Sequence, residues 1–337
     1  MRLADFTTLR VGGRAANFIS ASTESELISA IQQADAQEVP VLILGGGSNL
    51  LIADDGFDGL VVHIDVRGVQ VQEIGDLVFV TAACGEPWDQ FVATCLSSGM
   101  NGLEALSGIP GTVGATPIQN VGAYGTEVAS LIATVRVWDR RLNELRDLSP
   151  QECGFTYRSS VFKQDHERFV VLAVTFALGR TGMSRISYVQ LADALGLAVG
   201  DVALPSEIRE AVLELRFHKG MVLVREDPDT WSAGSFFTNP IVTEEVADGL
   251  PLECPRYPDA AGVKLSAAWL IEHAGVGKGY SLNDRASIST KHTLALTNRG
   301  SASAQDIVEL ARDVRRQVQT HFGIELHPEV RCIGCVI

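Results

Sequence analysis

The chain has 337 residues, with 27 Lys and Arg against 41 Asp and Glu, for a formal charge of −14. At 46% hydrophobic and 20% charged it can bury a sizeable core, which excludes a disordered chain. The acidic surplus argues against wrapping nucleic acid or lying on anionic lipid, because both would be repelled at long range.

No run approaches the roughly 18 to 20 apolar residues that a membrane helix needs. The opening MRLADFTTLRVGGRA has no apolar signal-peptide core, so a cytoplasmic location is expected. Six cysteines are too sparse for a disulfide scaffold. Cys332 and Cys335 form a C-x-x-C with no second motif beside it, and are read as ordinary thiols rather than a metal site. The length suggests about two domains at roughly 150 residues each.

In chain order, Thr23 to Gln37 has helical periodicity, with Thr23 and Glu26 spaced as a capping box. Pro40 to Leu44 reads as a strand running into Gly45, Gly46, Gly47, Ser48 and Asn49. Strands are expected at Leu60 to Val66, Val69 to Ile74 and Leu77 to Ala83, then a helix with Pro87 in its first turn, ending at Gly99. The stretch Gly102 to Gly125 is too rich in Gly and Pro for a helix and too apolar for a linker, so it reads as a packed, functional loop. Strands return at Leu131 to Trp138 and Phe169 to Leu178. A short helix is expected from Tyr188 to Leu195, and another, capped by Ser206, reaching Phe217. Further on come a helical KLSAAWLIEHAG and a strand-like HTLALTN. The longest helix, Ala304 to Phe322, has one apolar face and is stopped by Gly323. The pattern is α+β, in two or three domains.

Consecutive glycines let backbone N–H groups approach an anion without obstruction by Cβ. LGGGSNLL is neither G-x-G-x-x-G nor a Walker loop, and a tight turn remains the alternative. With the 102–125 loop, it could hold a long pyrophosphate cofactor, with Ile109, Pro110 and Val121 as apolar walls. GVGKG (275–279) reads as a turn. Ser235 in AGSFFTNP is no nucleophile elbow, since Ala233 and Phe237 stand where glycines are needed. Arg158 and Glu329 read as ordinary loop and strand-end charges. Spacing alone supports a cytoplasmic α/β protein that binds a nucleotide cofactor.

The motifs VLILGGGSNLLI, SGIPGTVGATPIQNVGAYG, YRSSVFK, AGSFFTNP, KLSAAWLIE and LHPEV, in that order, resemble the UDP-N-acetylenolpyruvoylglucosamine reductase (UDP-N-acetylmuramate dehydrogenase) family over nearly the whole chain. The segment RISYVQLADALG looks like the substrate-covering loop of the family's first type. The resemblance implies an FAD-binding fold of the vanillyl-alcohol-oxidase-like kind, two α/β subdomains clamping FAD, with a C-terminal α+β substrate domain. Residues 1–66 would form the first subdomain, joined by a C-terminal strand within 324–337. Residues 67–205 would form the second, and 206–323 the substrate domain.

The implied reaction is NADPH-dependent reduction of UDP-N-acetylglucosamine enolpyruvate through non-covalent FAD. Hydride passes from flavin N5 to the vinyl carbon, and Ser235 gives the proton. Arg158 and Glu329 match the pair that stabilises the intermediate. Because a carboxylate would repel the developing charge, Glu329 is expected to be protonated or to act through Arg or water. The cofactor-binding residues implied are Gly45, Gly46, Gly47, Ser48 and Asn49, then Gly108, Ile109, Pro110, Gly111, Gly114 and Ala115, and finally Gln119, Asn120, Gly122, Ala123, Tyr124 and Gly125. Tyr188, Lys219, Asn239, Tyr257 and Lys264 match positions that touch the substrate. No metal is expected, nor a nucleic-acid or membrane partner, and the protein is expected to be a monomer. A flavin oxidase of the same fold, or a flavin-free nucleotide-binding protein, are the alternatives, and colour separates the last from the others.

Overall fold

The computed structural model describes residues 1–180 and 182–337. Met1–Ala15, Gly47–Phe57 and Lys219–Ile337 form one unit, and Ala16–Gly46 with Asp58–His218 form a second.

In the second unit, a three-stranded sheet places Phe57–Ile64 between Ala15–Ala21 and Val41–Leu44. Phe57–Ile64 runs parallel to Val41–Leu44, with Leu60 opposite Val41 and His63 opposite Leu44. The expected Leu60 to Val66 strand thus begins and ends earlier in the sequence. Helix Glu24–Ala36 buries Leu27, Ile31 and Ala34, one face of a 3.6-residue period, and Leu27 and Ile31 join a core with Val62, Ile64 and Leu172. The Thr23 hydroxyl accepts from the Glu26 N–H, but the Glu26 carboxylate accepts from Ser22 instead of Thr23, so only half of the capping box forms.

A larger antiparallel sheet runs in the order Glu144–Leu148, Ile132–Asp139, Phe169–Arg180, Leu77–Ala83, Val69–Ile74. Helix Trp88–Ser97 packs on it through Trp88, Phe91 and Val92 against Phe176. Pro87 is the residue before this helix, not its first turn. Similarly, Ser206 does not cap the helix Pro205–His218: the helix begins one residue earlier, and the Glu207 carboxylate accepts from the Leu204 N–H. Strand Glu144–Leu148 and the short helix Pro150–Cys153, capped by Ser149, had no expected counterpart.

In the first unit, helix Ala304–Phe322 buries Ile307, Leu310, Ala311, Val314 and Val318. Ser303 and Asp306 form a full capping box at its start, and Gly323 at φ +69° ends it. Strand Arg331–Ile333 lies parallel to Leu50–Ile52. The expected helix in KLSAAWLIEHAG is confined to Ala267–His273, because Lys264 and Leu265 belong to strand Gly262–Leu265 and Ser266 caps the helix. HTLALTN contributes only Leu296–Asn298 as strand. Among the described residues, no helix is long and apolar enough to cross a membrane, and no His, Cys, Asp and Glu cluster could hold a metal ion.

Candidate active site

Strand Val41–Leu44 delivers Gly45 and Gly46 against the second glycine-rich loop. A Cβ on Gly46 would stand 2.7 Å from the Gly111 Cα, and one on Gly45 would stand 2.8 Å from the Thr112 hydroxyl. Gly47, at φ +58°, would drive a Cβ into the Phe6 carbonyl. Among the described residues, the N–H groups of Gly45, Gly46, Gly47 and Ser48 make no backbone hydrogen bond. Such a row of amides, with Gly46 exposed, suits the oxygens of a pyrophosphate.

The second loop is held from below. The Gly108 N–H donates to Asp89 Oδ1 at 2.6 Å, and Arg209 clamps the same carboxylate at 2.6 and 2.9 Å. These bonds, chiefly that from Arg209, hold the Asp89 carboxyl below its usual range against the opposing effect of burial. A Cβ on Gly108 would meet Leu213 at 2.8 Å and the Arg216 Nε at 3.3 Å. Arg216 is only 8% exposed, and burial lowers its pKa. Further along, the Gly114 N–H donates to the Cys84 carbonyl, and Ala115 closes a 3-10 turn, its N–H donating to the Thr112 carbonyl. Ile109 and Val121 pack against the core beneath the larger sheet, while Pro110, Gly111 and Gln119 are half-buried. Gly122–Ala123 and Thr126–Glu127 make a hairpin whose two turn residues, Tyr124 and Gly125, both have positive φ, at +47° and +80°. That is the twist a two-residue hairpin favours. The buried Tyr124 ring meets Tyr188 edge-on at 5.8 Å.

Arg158 stands in a tight turn, where Thr156 and Ser159 exchange backbone hydrogen bonds at 3.0 and 3.2 Å. Its φ is +52°, a left-handed position rarely given to arginine. The guanidinium donates to the Gly122 carbonyl at 2.9 Å and lies 3.5 Å from the Asn120 carbonyl.

Ser235 and Glu329 belong to the first unit. The Phe236 N–H donates to Leu294, and the Phe236 carbonyl accepts from the Glu329 N–H at 2.8 Å. On the other side, Asn49 donates to the Glu329 carbonyl and accepts from the Arg331 N–H. Two short segments remote in sequence are thus zipped together, with Ser235 and Glu329 at their facing ends. Gly234 at φ +75° allows the chain to turn into this ladder. Tyr257 and Lys264 are cross-strand partners, Ile241 also faces Lys264, and the Asn239 side chain accepts from the Ala267 N–H. Three expected substrate residues therefore gather around one small sheet. Lys219 is half-buried at the start of the same unit. Arg158 and Tyr188 belong to the second unit.

Sequence reasoning missed Asp89, Arg209 and Arg216. Arginines seven residues apart on a helix ordinarily signal a solvated face, and no local pattern marks these two as turned inward.

A row of open glycine amides facing a second glycine-rich loop defines the site as one for an anionic, nucleotide-like cofactor. Consistently, the profile of the FAD binding domain matches residues 15–145, and the protein is an FAD-dependent oxidoreductase. The C-terminal domain profile of UDP-N-acetylenolpyruvoylglucosamine reductase matches residues 227–333. The reductase of that name from Thermobifida fusca is 51% identical over 99% of this chain and 97% of its own length. The one from Nocardia farcinica is 52% identical over 99% of this chain and 89% of its own. The crystal structure of the reductase from Thermus caldophilus superposes with a TM-score of 0.66 at 27% identity, covering 99% of this chain and 97% of that one. The chain belongs to the UDP-N-acetylenolpyruvoylglucosamine reductase family.

Proposed function

We propose that the chain carries out NADPH-dependent reduction of UDP-N-acetylglucosamine enolpyruvate to UDP-N-acetylmuramate in peptidoglycan synthesis. When bound, FAD would supply the redox chemistry, carrying hydride between NADPH and the vinyl carbon of the substrate. Gly45–Asn49 and Gly108–Gly125 would line it non-covalently, the first loop through its open amides, whereas in the second the N–H groups of Gly108, Gly114, Ala115 and Asn120 are already given to Asp89, Cys84, Thr112 and Pro117. The Ser235 hydroxyl gives its proton to the carbon beside the carboxylate, where negative charge gathers. Arg158 holds that carboxylate by a charge-assisted, two-pronged contact, and Glu329 works at the same end of the substrate. Lys219, Asn239, Tyr257, Lys264 and Tyr188 bind the UDP portion.

The observation that carries this reading is the backbone ladder joining the Ser235 segment to Glu329 through Phe236. Residues 1–66 would form a first FAD subdomain joined by 324–337, with 67–205 as the second and 206–323 as the substrate domain; the pairing of Arg331–Ile333 with Leu50–Ile52 supports the attachment of the C-terminal strand alone. All reactants are small molecules, which fits a cytoplasmic monomer. The test is NADPH oxidation by the yellow holoenzyme, with and without UDP-N-acetylglucosamine enolpyruvate. Oxidation should be much faster with the substrate than with oxygen alone. Equal rates would overturn the assignment and favour an oxidase.

A further inference from the structure

We propose that Asn120 is the positioning residue of Arg158, the group that fixes where its guanidinium points. The inference rests on the reading of Arg158 as the holder of the substrate carboxylate. Asn120 is 1% exposed, and its amide has three protein contacts. Nδ2 donates to Glu127 Oε2 at 2.8 Å and to the Thr156 carbonyl at 3.1 Å, while Oδ1 accepts from the Ala129 N–H at 3.1 Å. Thr156 opens the turn from which Arg158 springs. Meanwhile the Asn120 and Gly122 carbonyls are where the guanidinium lands. One buried residue therefore ties down both ends of Arg158, the root through its side chain on Thr156 and the tip through its own backbone carbonyl.

Two further features fit this role. Asn120 holds φ +46°, a left-handed position that Asn tolerates better than most residues. Gly122 has no side chain where one would crowd the pair: a Cβ there would stand 3.0 Å from Glu127 Cγ and 3.2 Å from Arg158 Nη1. Strained backbone at Asn120 and Arg158, held by one buried amide, is the kind of local cost that persists when geometry serves a site.

Asn120→Asp tests this at nearly constant size. It keeps the acceptor for Ala129 but removes both donated bonds and sets a second carboxylate against Glu127. In the holoenzyme first reduced by NADPH, reoxidation by UDP-N-acetylglucosamine enolpyruvate should slow by about ten- to a hundredfold, as expected for a misaligned binding group. Reoxidation should recover in part as pH falls from about 8 to about 6, because a carboxyl beside another carboxylate takes up a proton early and regains a donor. A loss of packing alone would not give that recovery. The double variant Arg158→Ala with Asn120→Asp should be no slower than Arg158→Ala alone, since Asn120 acts only through Arg158.

Multiplying losses in the double variant would overturn the inference, as would unchanged reoxidation in Asn120→Asp while Arg158→Ala is slow. If Arg158→Ala itself reoxidises normally, the assignment of Arg158 falls first and this inference with it. Should Asn120→Asp fail to retain FAD, Asn120→Ser, which loses the reach to Thr156 without adding charge, is read by the same double-variant comparison.

Discussion

Arg158 occupies a turn position that glycine fills at little cost, whereas a left-handed conformation costs an ordinary residue about 1–2 kcal/mol. Arg158→Gly and Arg158→Ala both delete the hydrogen bond to Gly122, but only glycine also relieves the backbone. Arg158→Gly should therefore melt higher than Arg158→Ala by the equivalent of about 1 kcal/mol, although both lose substrate-driven reoxidation of the flavin. A lower melting point for the glycine variant would show that the turn is unstrained. Ser235, proposed above as the proton donor, is tested by its chemistry. Ser235→Ala should slow reoxidation by substrate and leave NADPH-driven reduction nearly intact, whereas equal loss in both would make Ser235 a shaping residue only. The thiols are separable by the same reasoning. Burial pushes Cys84, Cys95 and Cys153 up to about 12, and they are inert at neutral pH. A hydrogen bond from Cys332 lowers Cys335 to about 7 and raises Cys332. One thiol per chain should accordingly be alkylated quickly, with a rate that climbs through neutral pH. Cys335→Ser should abolish that phase, and its survival would place the reactive thiolate elsewhere.

Among the elements, helix Ala304–Phe322 is the plainest case of sequence dictating structure. It has nineteen residues, an apolar stripe, an acidic capping residue and a terminal glycine. The structure adds a carboxylate from outside the helix: Asp54 accepts from the Ala304 and Gln305 N–H groups at 2.8 and 3.0 Å. Asp54→Ala leaves two first-turn donors unmatched and should cost about 1–2 kcal/mol in urea unfolding, against no change if water replaces it. Asp306 gives the helix a pH dependence of defined sign. Arg285 and Ser303 hold its carboxyl well below the usual range, so its contribution is present above the unfolded pKa of about 4 and is lost as pH falls through the folded value. Asp306→Asn should flatten the acid side of the stability curve, and an unchanged curve would assign that slope to other carboxylates.

Legibility of the other elements followed the hydropathy pattern and not burial, since Val69–Ile74 is exposed along its whole length. Val69–Ile74 was visible because its residues alternate, while Glu144–Leu148, reading ELRDL, hid behind its charges. The turns of the 102–125 loop could not be read, because they depend on distant contacts such as Gly114 against Cys84. The glycines themselves announced the loops. Ser235 and Glu329 look ordinary alone, and only a backbone ladder formed in the folded chain brings them together.

At the scale of the whole molecule, the charge of −14 meets a set of ligands that are all anions. Many arginines are already matched internally: Arg140 with Asp35, Arg168 and Arg146 with Asp139, Arg285 with Asp306, Arg299 with Asp229. The far field is therefore that of the surplus carboxylates, and it repels FAD before any loop amide or the buried Arg216 is felt. Salt shortens that field from about 30 Å at 0.01 M to about 8 Å at 0.15 M. Contacts made inside the loops, at about 3 Å, are little screened. The rate constant for FAD binding to the apoprotein should consequently rise severalfold across that salt range, while the dissociation rate stays nearly constant. Stopped-flow quenching of flavin fluorescence measures both. An association rate that falls with salt would mean that positive charge near the glycine loops outreaches the net charge and steers the cofactor in.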